Sequence, residues 1–306
     1  DVGSNSIKLL VASGRHDLKS PLEILLSETI ETRISQGIST DQLTFSAQIQ
    51  ERAISSIQEL ILMAKAIDCE HLQIVATSAV RDAANRDEFA HAILKATGYA
   101  LHILSGEQEA TLIAKGLRLD PQLPKVSDFT QMDIGGGSLE LVRSIDGSIR
   151  QACSLNLGAV RLSEKFKVHS ESPINQTQAD QITEHVVDTL RASGFEFDSR
   201  VSPLVSTGGA FHIASQIGQQ NQAFSFQSGD RLSTALISQI KAWLMQQTLQ
   251  ERTRVAGLPA SRADIIPTAL ITIEALLKYA NYDEFQHSYY NLRYGLIAAI
   301  LSNQII

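Results

Sequence analysis

Two short stretches of the 306-residue sequence carry residue types that can grip phosphate: Asp1-Val2-Gly3-Ser4-Asn5-Ser6 and Asp133-Ile134-Gly135-Gly136-Gly137-Ser138. Consecutive glycines let a backbone approach a ligand closely and enter the φ > 0 region. Successive N–H groups then converge on one concavity, an anion nest. Ser138 adds a hydroxyl donor, and Ser4 and Asn5 stand where the second stretch has glycines. Asp133, at a strand end, can hold a hydrated Mg²⁺, which takes one or two carboxylates with phosphate oxygens. Ordinary hairpin turns use the same residues, so for either stretch alone the two readings weigh about evenly. A third stretch, Val205–Ala210 (VSTGGA), puts Gly208 and Gly209 after an apolar strand. There a plain strand-to-helix turn is the better reading when the stretch is taken alone.

The two stretches align without gaps over twelve residues. DVGSNSIKLLVA at 1–12 matches DIGGGSLELVRS at 133–144 through Asp1/Asp133, Gly3/Gly135, Ser6/Ser138 and Leu9/Leu141. This strengthens the phosphate reading, because it points to two copies of one supersecondary unit. Each copy reads as a strand, a tight turn and a return strand, Ile7–Val11 in the first and Leu139–Val142 in the second. Helical spacing of apolar residues predicts helices over Ala47–Ile67, Ala84–Lys95, Leu232–Leu249 and Ala263–Tyr279. A Ser105/Gln108 capping box opens another, through Leu112 and ending near Gly116. His71–Thr77 reads as a buried strand. Strands and helices alternate, so the class is α/β. The loop at 119–128, with Pro121 and Pro124, divides the chain into domains at 1–122 and 123–306, with the last helix packing back on the first domain.

Composition narrows the function. A net charge of −7 argues against a general nucleic-acid binder, though a local basic groove fits within an acidic protein. No apolar run is long enough for a bilayer, and no leader pattern is evident, so neither membrane nor export is expected. The two cysteines, Cys69 and Cys153, lie far apart, which favours a reducing cytoplasm over a disulfide framework. The eight histidines show no zinc spacing. No GxSxG elbow or P-loop is present. Asp1 reads as the end of a strand, so a few residues are expected to precede it.

Taken together, the paired Asp-x-Gly loops and the later Gly-Gly resemble the actin-like ATPase and sugar-kinase superfamily. Within it, the chain is most similar to the exopolyphosphatase/guanosine pentaphosphate phosphatase family. ATSAVRDAAN (76–85), ILSGEQEATLIAKGL (103–117), LNLGAVRLSE (155–164), STGGAFHIA (206–214), RADIIPTALITIEALL (262–277) and LRYG (292–295) carry that resemblance over nearly the whole chain. It implies two actin-like (ribonuclease H-like) domains with an interdomain cleft. It also implies hydrolytic release of terminal orthophosphate from polyphosphate, assisted by Mg²⁺ or by Mn²⁺ in its place, in a homodimer.

The same resemblance gives residues their roles. Glu109 matches the catalytic glutamate that polarises the attacking water. Read bare, Glu107 and Glu109 are acids favoured in a first helical turn. Asp133 is the leading metal ligand, joined by Glu140 and, from the first loop, Asp1. Lys8 stands opposite Glu140 in the repeat. Gly3, Ser4, Asn5 and Ser6, Gly135, Gly136, Gly137 and Ser138, and Gly208 and Gly209 form the phosphate-binding loops. Arg81 suits a phosphate clamp, because a guanidinium binds phosphate oxygens bidentately; its plainer reading pairs it with Asp82 or a nearby acid. Arg161 and Arg293 are weaker candidates of the same kind.

Two departures stand out: Leu139 where the family usually has Thr, and Leu-Arg-Tyr-Gly where Glu often follows the Arg. The chain also stops where long family members continue into a further helical region. Guanosine pentaphosphate is the alternative substrate for the same site. An ATP-dependent kinase or a non-catalytic nucleotide sensor fits less well with the 76–85 and 103–117 stretches.

Overall fold

The computed structural model describes residues 1–14, 22–35, 37, 43–123, 128–168, 172–200, 202–221, 224 and 231–302. The chain forms two compact units, one of Asp1–Pro124 with Tyr290–Ile306 and the other of Lys125–Tyr289. In the connecting segment read at 119–128, residues 124–127, Pro124 included, lie outside the described residues.

In the first unit, β1 (Ser6–Gly14) and β2 (Leu22–Glu31) pair antiparallel, with Ser6 opposite Glu31. Helix α1 (Ala47–Lys65) follows, its first turn capped by the Ser46 side chain, and it buries Ala53, Ile57, Leu60, Ile61 and Ala64 along one stripe. Then come β3 (Ile74–Ala76), the short α2 (Ser78–Arg81), α3 (Arg86–Thr97), β4 (Leu101–Ile103) and α4 (Gly106–Leu117). Strands β3 and β4 run parallel. Val2 bridges Ile7 on one side and Ala76 on the other, so it stands where a strand between the hairpin and the parallel pair would run. Gly98 ends α3 in the left-handed conformation that a glycine C-cap allows.

The second unit is built on one sheet. Its strands are β5 (Phe129–Ile134), β6 (Leu139–Ile145), β7 (Ser148–Leu155), β8 (Leu204–Thr207), β9 (Arg231–Ser233) and β10 (Glu284–His287). They lie in the order β7-β6-β5-β8-β10-β9. The β5–β6 and β6–β7 pairs are antiparallel, whereas β8 runs parallel to both β5 and β10. Helices α5 (Ala159–Lys165), α6 (Gln176–Ser193), α7 (Gly209–Gln220), α8 (Thr234–Met245), α9 (Leu249–Arg252) and α10 (Ile266–Ala280) complete it. Its core joins Met132 and Leu141 of the sheet to Leu162, Ile182, Phe211, Ile237 and Leu270 of the helices. Reading Val2 as the central strand of the first unit, both units share the spatial order third, second, first, fourth, with the second reversed; next to the fourth lies β4 in the first unit, and β10 and then β9 in the second. The repeat read in the sequence is thus a repeat of architecture, α/β in both units.

Helix α11 (Leu292–Leu301) belongs to the first unit. It packs on α4 through two glycines. A Cβ on Gly295 would overlap the Leu112 carbonyl oxygen, and one on Gly116 would overlap the Asn291 carbonyl oxygen. The backbones can approach this closely only because both positions lack side chains. Leu292 and Leu296 join Val75, Leu104, Leu112 and Ile113 in a common cluster.

Several boundaries differ from expectation. The strand read over His71–Thr77 is confined to Ile74–Ala76. The helix read over Leu232–Leu249 divides: Leu232 pairs with Phe285 in the β9–β10 ladder, and Ser233 caps α8. Leu249 opens α9 behind a Thr248/Glu251 capping box. The helix read from Ala263 starts at Ile266, with Pro267 in its first turn, where a missing N–H costs nothing.

Candidate active site

The two loops are built alike. Gly3 N–H donates to Ser6 O at 3.1 Å, and Gly135 N–H donates to Ser138 O at 2.9 Å. Asp1 and Lys8 exchange backbone hydrogen bonds just as their counterparts Asp133 and Glu140 face each other in the β5–β6 register. None of Gly3, Gly135, Gly136 and Gly137 has positive φ, which corrects the expectation of left-handed turns. Close approach is what the glycines provide instead. The N-terminus of α5 sits directly on the second loop: Ala159 N–H donates to Gly135 O, and both Val160 and Arg161 N–H donate to Gly136 O. The Arg161 Nε donates to Gly137 O. A Cβ on Gly158 would collide with the Gly137 and Ser138 backbone. The loop's carbonyls are therefore turned toward α5. Among the described residues, the N–H groups of Gly136, Gly137 and Ser138 meet no acceptor. In the first loop Ser35 N–H takes the Ser4 carbonyl, while Thr32 and Arg33 N–H take that of Asn5. There too the N–H groups of Ser4 and Asn5 meet no acceptor among the described residues. A run of N–H groups on a loop with no acceptor among the described residues suits an anion.

In the first unit, the carboxyl ends of Val2, β3 and β4 converge. Thr77 N–H donates to Val2 O, and the Ser4 and Ser78 hydroxyls lie 3.3 Å apart. The Asn5 amide donates to Glu31 at 2.6 Å. Arg81 ends α2, and its Nη1 donates both to Leu104 O and to Glu109 Oε2, each at 2.9 Å. Glu109 is 6% exposed, while Glu107, two residues earlier, faces solvent. Only one of the two acids is thus a buried functional candidate. Arg81 is tied to it across 28 residues of separation.

In the second unit, Asp133 and Glu140 occupy directly opposed positions on β5 and β6. Like charges placed so destabilise a sheet unless something offsets them. Ser154 donates to Glu140 Oε1 at 2.7 Å, and Thr207 donates to Asp133 Oδ2 at 2.6 Å. The Cys153 thiol, beside Glu140, is pushed up to about 11, first by burial and then by the Glu140 charge. Among the described residues no cluster of three or more His, Cys, Asp or Glu gathers. A pair of carboxylates is what Mg²⁺ takes, completing its shell with water and phosphate. Gly208 has φ +100°, and a Cβ there would stand 2.7 Å from Asp133 Oδ1. The Gly-Gly stretch is thus more than a turn, because it closes against the Asp133 carboxylate. Gly209 opens α7.

The remaining candidates lie as follows. Arg161 serves the second loop's carbonyl side. Arg293 reaches away from the loops, donating to Leu9 O and Ser27 Oγ of the β1–β2 hairpin. Asp1 and Lys8 line a hollow of ≈ 420 Å³ with Arg293, Leu296 and Ile300. Gly158 and Thr207 escaped the residue-by-residue reading. Their only signals were a glycine ahead of Ala-Val-Arg-Leu and a hydroxyl ahead of Gly-Gly. No helix among the described residues is long and apolar enough to cross a membrane.

Comparison with known proteins agrees with this construction. The chain is 28% identical over 315 residues to exopolyphosphatase 1 of Mycobacterium tuberculosis (strain ATCC 25618 / H37Rv), covering 99% of this chain and 88% of that protein. It is 26% identical over 310 residues to exopolyphosphatase 1 of Mycobacterium leprae, covering 99% and 89%. A solved exopolyphosphatase structure from Cytophaga hutchinsonii shares the fold, with a TM-score of 0.85 at 23% identity over 98% of this chain and 96% of that one. The Aquifex aeolicus PPX-GPPA enzyme superposes with a TM-score of 0.78 at 22% identity, over 97% of each chain. The family model described as the Ppx/GppA phosphatase family matches residues 10–304, nearly the whole length, and the chain belongs to that family.

Proposed function

We propose that this protein is an exopolyphosphatase, releasing orthophosphate from the end of an inorganic polyphosphate chain by attack of water on a phosphoanhydride bond. The observation that carries the reading is the run of unmatched N–H groups at Gly136, Gly137 and Ser138, turned out by α5, with the same construction at Ser4 and Asn5. Phosphoryl transfer needs positioning and charge neutralisation more than covalent chemistry. The loops at Gly3–Ser6, Gly135–Ser138 and Gly208–Gly209 supply the first. Asp133 and Glu140 would hold Mg²⁺, and the bound ion would neutralise charge on phosphate oxygens. Glu109 accepts the proton of the attacking water. Arg81 holds that carboxylate in place and sets a positive charge beside it.

Glu109→Gln tests the assignment. It keeps the shape of the side chain and removes the base, so orthophosphate release should fall by roughly 10²–10⁴-fold with polyphosphate binding kept. Turnover close to wild type in that variant would remove Glu109 from the mechanism.

A further inference from the structure

Thr207 closes β8 and faces Asp133 across the parallel β5–β8 ladder. It is fully buried. Its Oγ1 donates to Asp133 Oδ2 at 2.6 Å. A carboxylate only accepts, so the single hydroxyl hydrogen is committed to that bond. Gln131, two residues before Asp133 and therefore on the same face of β5, sends its Nε2 to Thr207 Oγ1 at 3.4 Å. That amide orientation is the one the hydroxyl can satisfy, because its remaining capacity is as an acceptor. On the other side of the carboxylate lies the bare Cα of Gly208, with a Cβ position only 2.7 Å from Oδ1. Asp133 is thus wedged between a donated hydroxyl and a position that tolerates no side chain. Packing alone does not call for this hydroxyl, since valine fills the same volume.

We propose that Thr207 is a positioning residue which fixes the rotation of the Asp133 carboxylate for a divalent cation. The inference rests on reading Asp133 as a cation ligand. Partners that orient a metal ligand from behind are worth roughly 10–100-fold in metal affinity. Gln131 is the next link of the same chain, acting on Asp133 through Thr207.

The test measures Mn²⁺ binding by the free-ion EPR signal, without substrate, for the full chain and for Asp133→Asn, Thr207→Val and Thr207→Ser, with thermal melts as a check on folding. Thr207→Val should weaken Mn²⁺ binding by roughly 10-fold or more. Thr207→Ser, which keeps the hydroxyl, should bind close to wild type, a rescue that a purely packing role does not predict. Wild-type affinity in Thr207→Val, with Asp133→Asn impaired, overturns the role of Thr207. Undiminished binding in Asp133→Asn instead overturns the reading of Asp133 beneath it. If the valine variant does not fold, Thr207→Ala takes its place, and equal affinity in the Ala and Ser variants overturns the proposal.

Discussion

Glu109 and Arg81 illustrate how far single residues could be read from the sequence. Glu109 was singled out by a stretch whose pattern is distinctive; it is buried, whereas its neighbour Glu107 faces water. Its partner was not legible, because α2 and α4 bring Arg81 to it only after β3 and β4 pair in parallel. A different residue leads to a pH prediction. His287, at the end of β10, lies 3.4 Å from the Ser206 hydroxyl through Nδ1, and its buried Nε2 has no partner. Burial, followed by the nearby His212, lowers it from 6.5 to about 4. The folded state therefore keeps it neutral while the unfolded chain protonates below the ordinary value. The unfolded state binds more protons between about pH 6.5 and pH 4, so stability falls as pH drops through that window. The full effect is on the order of 3 kcal/mol. Urea titrations at pH 7 and pH 4.5 should show this loss in wild type and a smaller one in His287→Phe. An equal loss in both proteins would place the acid sensitivity elsewhere.

At the level of elements, the loops depend on what stands behind them. The hairpins and the Ser105/Gln108 capping box were readable from local pattern, since each is decided within a few residues. The boundaries that moved were decided by distant partners: Leu232 continues an apolar period, yet Phe285 draws it into a strand. The α5 N-terminus is the clearest case of a distant partner with functional weight. It takes up the second loop's carbonyls, and Gly158 lets it come close enough to do so. Gly158→Ala should push the loop back while leaving helix and sheet content unchanged, since its own φ of −69° suits alanine. A shift of this kind at a phosphate contact should lower kcat/KM for polyphosphate by roughly 10²-fold. Kinetics and circular dichroism together check it; unchanged kcat/KM in a well-folded variant would mean the loop does not bind phosphate. The paired glycines Gly116 and Gly295 do similar work between α4 and α11, which explains the glycine of LRYG as a packing residue.

For the whole molecule, the duplication was the most informative feature of the sequence. Twelve residues that align without gaps pointed to two copies of one α/β unit, and both units place their first four strands in one order. Substrate length is a property of this scale, because it depends on how much cationic surface a long polyanion meets. The chain carries a net charge of −7. A long polyphosphate needs many successive cationic contacts, and such binding weakens steeply with salt as counterions are released. An acidic protein with two loop sites should therefore favour short chains, and its activity on longer ones should be the more salt-sensitive. The most direct measurement is orthophosphate release from polyphosphates of defined length with Mg²⁺ and no nucleotide, following the length of the remaining chain. Loss of one terminal phosphate at a time is expected, faster on short chains than on very long ones. Internal cleavage, or phosphate release only when a nucleotide is added, would contradict it.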